Sequence, residues 1–143
     1  MSDGEGLPIV SAERPQRMTT IVVTAAVIER DGSFLVTRRQ EGVHLAGQWE
    51  FPGGKCDPGE TLEDCIAREL VEELSVHAAI GEEVLATTYE YEDRRVELHF
   101  FRCRLSGTPA PVQGQEMRWV SPNELGRLTF PPADEALIRL LCS

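Results

Sequence analysis

The stretch that decides the fold is Gly54–Val76, GKCDPGETLEDCIARELVEELSV. Thr61 followed three residues later by Asp64 has the form of a capped helix start, and apolar spacing carries the helix on to Leu74. With Leu62 at zero and about 100° per residue, Ile66, Leu70 and Leu74 fall at about 40°, 80° and 120°, an apolar stripe. Glu69, Glu72 and Glu73 crowd an arc of about 100° that overlaps one edge of that stripe. Like charges one turn apart repel, and beside apolar surface they cost more, because desolvation opposes ionisation. A divalent cation offsets that cost, and oxygen ligands favour Mg²⁺ or Mn²⁺ over zinc. A solvated acidic face in an acidic protein fits the same spacing, and helix geometry alone does not choose between the two.

Working upstream, Gly53-Gly54 and Asp57-Pro58-Gly59 make a tight turn that can bring backbone groups to a metal, with Glu60 at the helix entrance. Arg38 and Arg39 are candidate phosphate contacts, or surface charges. Trp49 and Phe51 offer flat surfaces to a base, or belong to the core. Residues 40–59 read as a long loop, which in a compact domain is usually functional. Before it, Thr19–Ile28 reads as a strand buried on both faces, Asp31-Gly32 as a hairpin turn and Ser33–Arg39 as the returning strand. After the helix, Val84–Tyr91 and Val96–Leu105 read as strands joined by a charged turn, with a phase slip at Phe100-Phe101 that predicts a bulge or two-sided burial. Met117–Val120 reads as a short strand, Ser121–Glu124 as the start of a short helix, and Pro132–Leu141 as a C-terminal helix. This order predicts an α+β domain over residues 18–143, a mixed sheet with helices on its faces, preceded by a flexible tail over residues 1–17.

Composition narrows the partners. Twenty-four acids against 14 Lys and Arg give a net charge of -10, which argues against a nucleic-acid polymer or an anionic membrane as partner. Apolar runs of about ten residues are too short to span a bilayer, and no signal peptide is visible, so a cytoplasmic protein is expected. Cys56, Cys65, Cys103 and Cys142 form no CxxC or Cys/His cluster and are expected to be reduced and structural.

These residues resemble the Nudix box, Gx5Ex7REUxEExGU with U a bulky aliphatic residue. Gly54, Glu60, Arg68, Glu69, Leu70, Glu72, Glu73 and Val76 stand at its positions, and only the glycine near the end is replaced, by Ser75. The run TRRQEGVHLAGQWEFPGGK before the box and FPPADEALI near the C-terminus are similar to MutT-type nucleoside triphosphate pyrophosphohydrolases. The resemblance implies an α/β/α sandwich around a mixed sheet, and attack of water on a triphosphate to give monophosphate and pyrophosphate. It further implies Mg²⁺ (or Mn²⁺) held by Glu69, Glu72, Glu73 and the Gly53 carbonyl, with Arg68 pairing with Glu60 or a neighbouring carboxylate. Arg39 and His44 would lie at the phosphates, Phe51 near the base, and Asp134 where the MutT type carries a base-reading Asn. The auxiliary Glu of this group has no match; Gln113 takes its place, and Glu116 is the substitute. The resemblance further implies that one glutamate, Glu69, Glu72 or Glu116, acts as general base. The expected substrate is an oxidised nucleotide such as 8-oxo-dGTP, in nucleotide-pool sanitisation; CTP, dCTP or 5-methyl-dCTP is the alternative. Another nucleoside-diphosphate derivative and a silent binding module rank behind. The enzyme is expected to be a monomer or homodimer.

Overall fold

The computed structural model describes residues 19–38 and 47–143. The expected tail and the expected phosphate contacts Arg39 and His44 lie outside the described residues. In chain order the elements are β1 (Thr19–Val27), β2 (Glu29–Arg30), β3 (Ser33–Arg38), β4 (Trp49–Glu50), β5 (Gly53–Lys55), α1 (Leu62–Leu74), β6 (His77–Glu90), β7 (Arg94–Ser106), β8 (Glu116–Val120), α2 (Pro122–Leu125), a 3-10 turn (Pro132–Asp134) and α3 (Glu135–Cys142).

The β-branched run of β1 lies inside a four-stranded mixed sheet of order β5-β1-β7-β6. It runs parallel to β7 from Thr19↔Arg94 to Val27↔Arg102 and antiparallel to β5. A second sheet has β3 at its centre, with β8 on one edge and β2 and β4 on the other. The link between β2 and β3 is the expected tight turn, with Asp31 and Gly32 both left-handed at φ 52° and 78°.

Burial on both faces of the sheet makes three layers. Ile66, Leu70 and Leu74 of α1 bury against Ala26, Ile28, Leu35 and Phe101. On the other face Leu137 of α3 and Leu125 of α2 bury with Val27, Val36, Phe51 and Phe100. Phe100 and Phe101 are thus both buried, on opposite faces. The phase slip is two-sided burial, and the register shifts sit opposite it in β6, around Glu83.

Helix α1 begins as expected: the Thr61 hydroxyl oxygen accepts from the Asp64 N–H at 3.0 Å. It ends at Ser75, whose φ of 53° and ψ of 43° are left-handed, with its N–H donated to the Val71 carbonyl. A Cβ in that conformation is strained, so Ser75→Gly is expected to raise stability by about 1 kcal/mol. A thermal melt checks it, and a lower Tm for the variant would contradict it.

Two expectations are corrected. The segment read as loop contains β4 and β5, because pairing with β3 and with β1, rather than local propensity, makes them strands. Its backbone lies so close to β1 that a Cβ on Gly53 would overlap the Thr24 carbonyl. The cysteines are not all reduced. Cys56 and Cys65 form a disulfide with Cα atoms 5.3 Å apart, because the turn before α1 folds back onto its first turns. Cys103, buried, and Cys142, exposed, are free.

Candidate active site

Arg68 is the hub that joins the turn to the helix carboxylates. Its Nε donates to Glu60 at 2.7 Å and one terminal nitrogen donates to the other Glu60 oxygen at 3.0 Å. Its remaining nitrogen donates to Glu69 at 3.0 Å and to Glu72 at 3.2 Å, and the Lys55 carbonyl accepts at 3.1 Å. Glu60 is held from its other side by the Asp57 N–H at 2.9 Å. The Arg68 hydrogen bonds push the Glu60 carboxyl down to about 2, while the Arg68 guanidinium is pushed up, chiefly by Glu60. The fork of one guanidinium therefore ties the Lys55 carbonyl and the turn at Glu60 to two carboxylates of its own helix.

Glu69 and Glu73 are the half-buried members of the cluster. A Cβ on Gly54 would overlap the Glu69 carboxylate, so only glycine leaves that side chain its place. Glu73 is pushed up from an ordinary 4.5 to about 9, first by burial, then by the charges of Glu50 and Glu69; the Gly53 N–H opposes the shift. Burial likewise raises Glu69. Without a counter-charge these carboxylates are held in an environment that disfavours their ionised form. Crowded oxygens with a glycine-lined wall fit a hard divalent cation, and the solvated-face alternative fits only Glu72, whose side chain is 54% exposed.

The raised Glu73 pKa makes metal-free stability depend on pH. Its folded value lies above its unfolded one, so its contribution is fully present below about pH 4.5 and is lost as pH rises through about 9. Glu60 has the opposite sign: its contribution is present above 4.5 and lost as pH falls through about 2. In EDTA the Tm is therefore expected to fall from pH 5 to pH 9, and Glu73→Gln to flatten that fall. A wild-type Tm that is level or rising over the same range would contradict the assignment.

Beside the carboxylates opens a cleft of about 320 Å³, walled by Glu50, Gly53, Gly54 and Lys55 on the side of the helix. Phe51, Tyr91, Arg94 and Asp134 line the remainder. Phe51 belongs to the core as well: it stacks on Phe130 at 5.3 Å and meets Phe100 edge-on at 6.0 Å. Asp134, at the end of the 3-10 turn, is only 6% exposed. Three residues of this site escaped the sequence reading. Glu50 lies next to Phe51 in a segment read as loop, and its charge acts on Glu73. Tyr91 and Arg94 flank a turn read only as charged; the Arg94 guanidinium lies 5.3 Å from the Tyr91 ring centroid. The buried Arg94 Nε has no hydrogen-bond partner among the described residues.

Other expected residues are not gathered there. Glu116 is exposed on β8, where the register sets it opposite Arg38; its described ion-pair partners are Arg38 at 3.4 Å and Arg118 at 3.6 Å. Trp49 is buried in the core under the guanidinium groups of Arg38 and Arg118, away from the cleft walls.

Crowded helix carboxylates beside a cleft of this kind are the parts that a metal-assisted hydrolase of phosphate anhydrides needs. The chain belongs to the Nudix hydrolase family and is of the MutT type: the NUDIX domain model matches residues 23–140. It is 38% identical over 122 residues to the CTP pyrophosphohydrolase of Escherichia coli K12, covering 85% of this chain and 90% of that one. It is 35% identical over 129 residues to the 8-oxo-dGTP diphosphatase of the same organism, covering 87% and 98%. Among solved structures, the E. coli ORF135 protein superposes with a TM-score of 0.77 at 38% identity, covering 85% of this chain and 88% of that one. The MutT protein of Methanosarcina mazei Go1 gives 0.78 at 27%, covering 87% and 94%. The mixed sheet and its helices are the Nudix fold.

Proposed function

We propose that this Nudix hydrolase converts nucleoside triphosphates to the monophosphate and pyrophosphate, with 8-oxo-dGTP as its preferred substrate, and so clears oxidised nucleotides from the cytoplasmic pool. The observation that carries the reading is the meeting of the cleft and the carboxylate helix at Gly53-Gly54. A base lodged by Phe51 and Asp134 leaves its phosphates on the side of Glu69, Glu72 and Glu73. Those three carboxylates and the Gly53 carbonyl would hold Mg²⁺, or Mn²⁺. Held there, the cation would supply charge neutralisation for a substrate of about four negative charges and for its leaving oxygen. Arg68 keeps Glu69 and Glu72 oriented, and a helix carboxylate accepts the proton of the attacking water. Glu116, engaged by Arg38, is not needed as the base in this scheme.

Base choice rests on the donor and acceptor set of the cleft. The Asp134 carboxyl offers acceptors to the N1 and N2 hydrogens of an oxidised guanine, and Arg94 donates to a base oxygen. A second reading follows from the same acceptor: it also suits the exocyclic amine of cytosine, which favours CTP, dCTP or 5-methyl-dCTP. The likeness to both a CTP pyrophosphohydrolase and an 8-oxo-dGTP diphosphatase keeps the two in contention. The test is a panel of 8-oxo-dGTP, dGTP, CTP, dCTP and 5-methyl-dCTP with Mg²⁺, scored for pyrophosphate against orthophosphate. Pyrophosphate release fastest from 8-oxo-dGTP and abolished by EDTA is the expected result. Fastest release from a cytosine nucleotide overturns the ranking, and orthophosphate as the product overturns the reaction.

A further inference from the structure

The nucleotide chemistry leaves Cys56 and Cys65 without a role. The two are placed asymmetrically. Cys65 is fully buried on α1, its sulfur 3.1 Å from the Thr24 hydroxyl and 3.8 Å from the Gly54 carbonyl. Cys56 is half-buried and lines an open cleft with Asp57, Glu60, Leu62 and His99. An external thiolate therefore has one accessible target, Cys56 Sγ, and Cys65 is the leaving group. Its developing charge falls beside a hydroxyl able to donate to it.

The bridge lies where the wall of the site meets the helix. Cys56 sits between Gly54, packed on the Glu69 carboxylate, and Glu60, which holds Arg68. Cys65 lies one turn before Glu69 on the same helix. Other ties between the two segments do not need the bridge: Arg68 to Glu60, Asp57 N–H to Glu60, and the pairing of β5 with β1. Loss of the bridge thus loosens this corner locally and leaves the fold in place.

We propose that Cys56 and Cys65 are a reversible redox pair, disulfide in the oxidised protein and dithiol in the reduced one, that sets how firmly segment 53–60 is held on α1 beside the carboxylates. Oxidation takes a hydroperoxide. The Cys56 thiolate attacks it, the O–O bond breaks, and a sulfenic acid forms with loss of an alcohol, or of water from hydrogen peroxide. The Cys65 thiol then attacks the Cys56 sulfur, the S–S bond forms and water leaves; two electrons have passed from the thiols to the peroxide. Reduction takes a dithiol, which attacks Cys56 Sγ, releases Cys65 as a thiol, and frees Cys56 by closing its own disulfide, returning two electrons and two protons. A soft metal is the competing use, since Glu60 and the two sulfurs lie within 4.8 Å of one another. Both Glu60 oxygens are already engaged by Arg68 and Asp57, which favours the redox use.

The test uses the full native chain in reduced and oxidised dithiothreitol mixtures and after stoichiometric hydrogen peroxide, with Cys142→Ser to remove the exposed free thiol. Thiols are counted by alkylation and mass spectrometry. The Cys142→Ser protein should show its three remaining thiols at the reducing end and one at the oxidising end, with a 56–65 crosslinked peptide. In the reduced form, amide exchange over 53–60 should quicken while that of α3 is unchanged, and the Tm should fall by roughly 5–10 °C. Cys56→Ser should match the reduced form at every poise. Three thiols under all conditions, a crosslink that survives reductant in the native protein, or equal exchange and Tm in both states would each overturn the proposal. So would one equivalent of zinc retained by the reduced protein and lost in Cys56→Ser. None of these readouts depends on which nucleotide the enzyme prefers.

Discussion

Glu73→Gln is expected to lower kcat by roughly a thousandfold or more while leaving the protein folded, and more stable than wild type in the absence of metal. The two halves of this result have one cause. Burial and the charges of Glu50 and Glu69 hold the Glu73 carboxyl neutral up to about pH 9, so the metal-free fold is built around an uncharged group at this position. A glutamine amide reproduces that group: its oxygen accepts from the Gly53 N–H and its NH₂ donates to Glu69. What it cannot reproduce is the negative charge that a divalent cation requires. The measurements are steady-state kinetics on the best nucleotide of the panel, with Mg²⁺ titration, and thermal melts in EDTA. Turnover within tenfold of wild type would remove Glu73 from the metal site. A melt well below wild type would mean that the side chain holds the fold in some other way.

Asp134→Asn is expected to shift the ratio of kcat/KM for 8-oxo-dGTP over dCTP upward by roughly 10- to 100-fold, the range that a mismatched buried hydrogen bond of about 1–3 kcal/mol allows. Asp134 is 6% exposed on the wall of the cleft, so a base that reaches it meets the side chain rather than bulk water. A carboxylate only accepts, which serves the cytosine amine and the N1 and N2 hydrogens of an oxidised guanine; an amide keeps an acceptor and adds a donor for the guanine oxygen. The oxidised guanine should therefore gain most, with Mg²⁺ dependence unchanged because the helix carboxylates are untouched. If every ratio between bases stays as in wild type, Asp134 does not read the base.

Along the chain, what was legible was what repeats with a local period. The helix over Leu62–Leu74, its Thr61 cap and the shared face of Glu69, Glu72 and Glu73 follow from turn geometry, which neighbouring residues determine among themselves. The strands of β1, β3 and β7 followed in the same way from β-branched and apolar runs. Strand β5 did not, because two glycines have no strand propensity and become a strand only when β1 supplies the hydrogen bonds. The start of β6 at His77 was likewise hidden, since its exposed charges interrupt the apolar pattern while β7 still pairs with it. Glu50, Tyr91 and Arg94 join the site from β4 and from the ends of β6 and β7, and nothing in their own neighbourhoods marks them. The sequence by itself determined the family, the helix and the carboxylates that define its chemistry. Only the tertiary structure decided that Arg68 ties Lys55 and Glu60 to the helix carboxylates, that Glu73 is half-buried within reach of the Glu50 charge, and that Cys56 reaches Cys65. Each of these depends on distances across the fold, and such distances are fixed by how sheet and helix pack rather than by spacing along the chain.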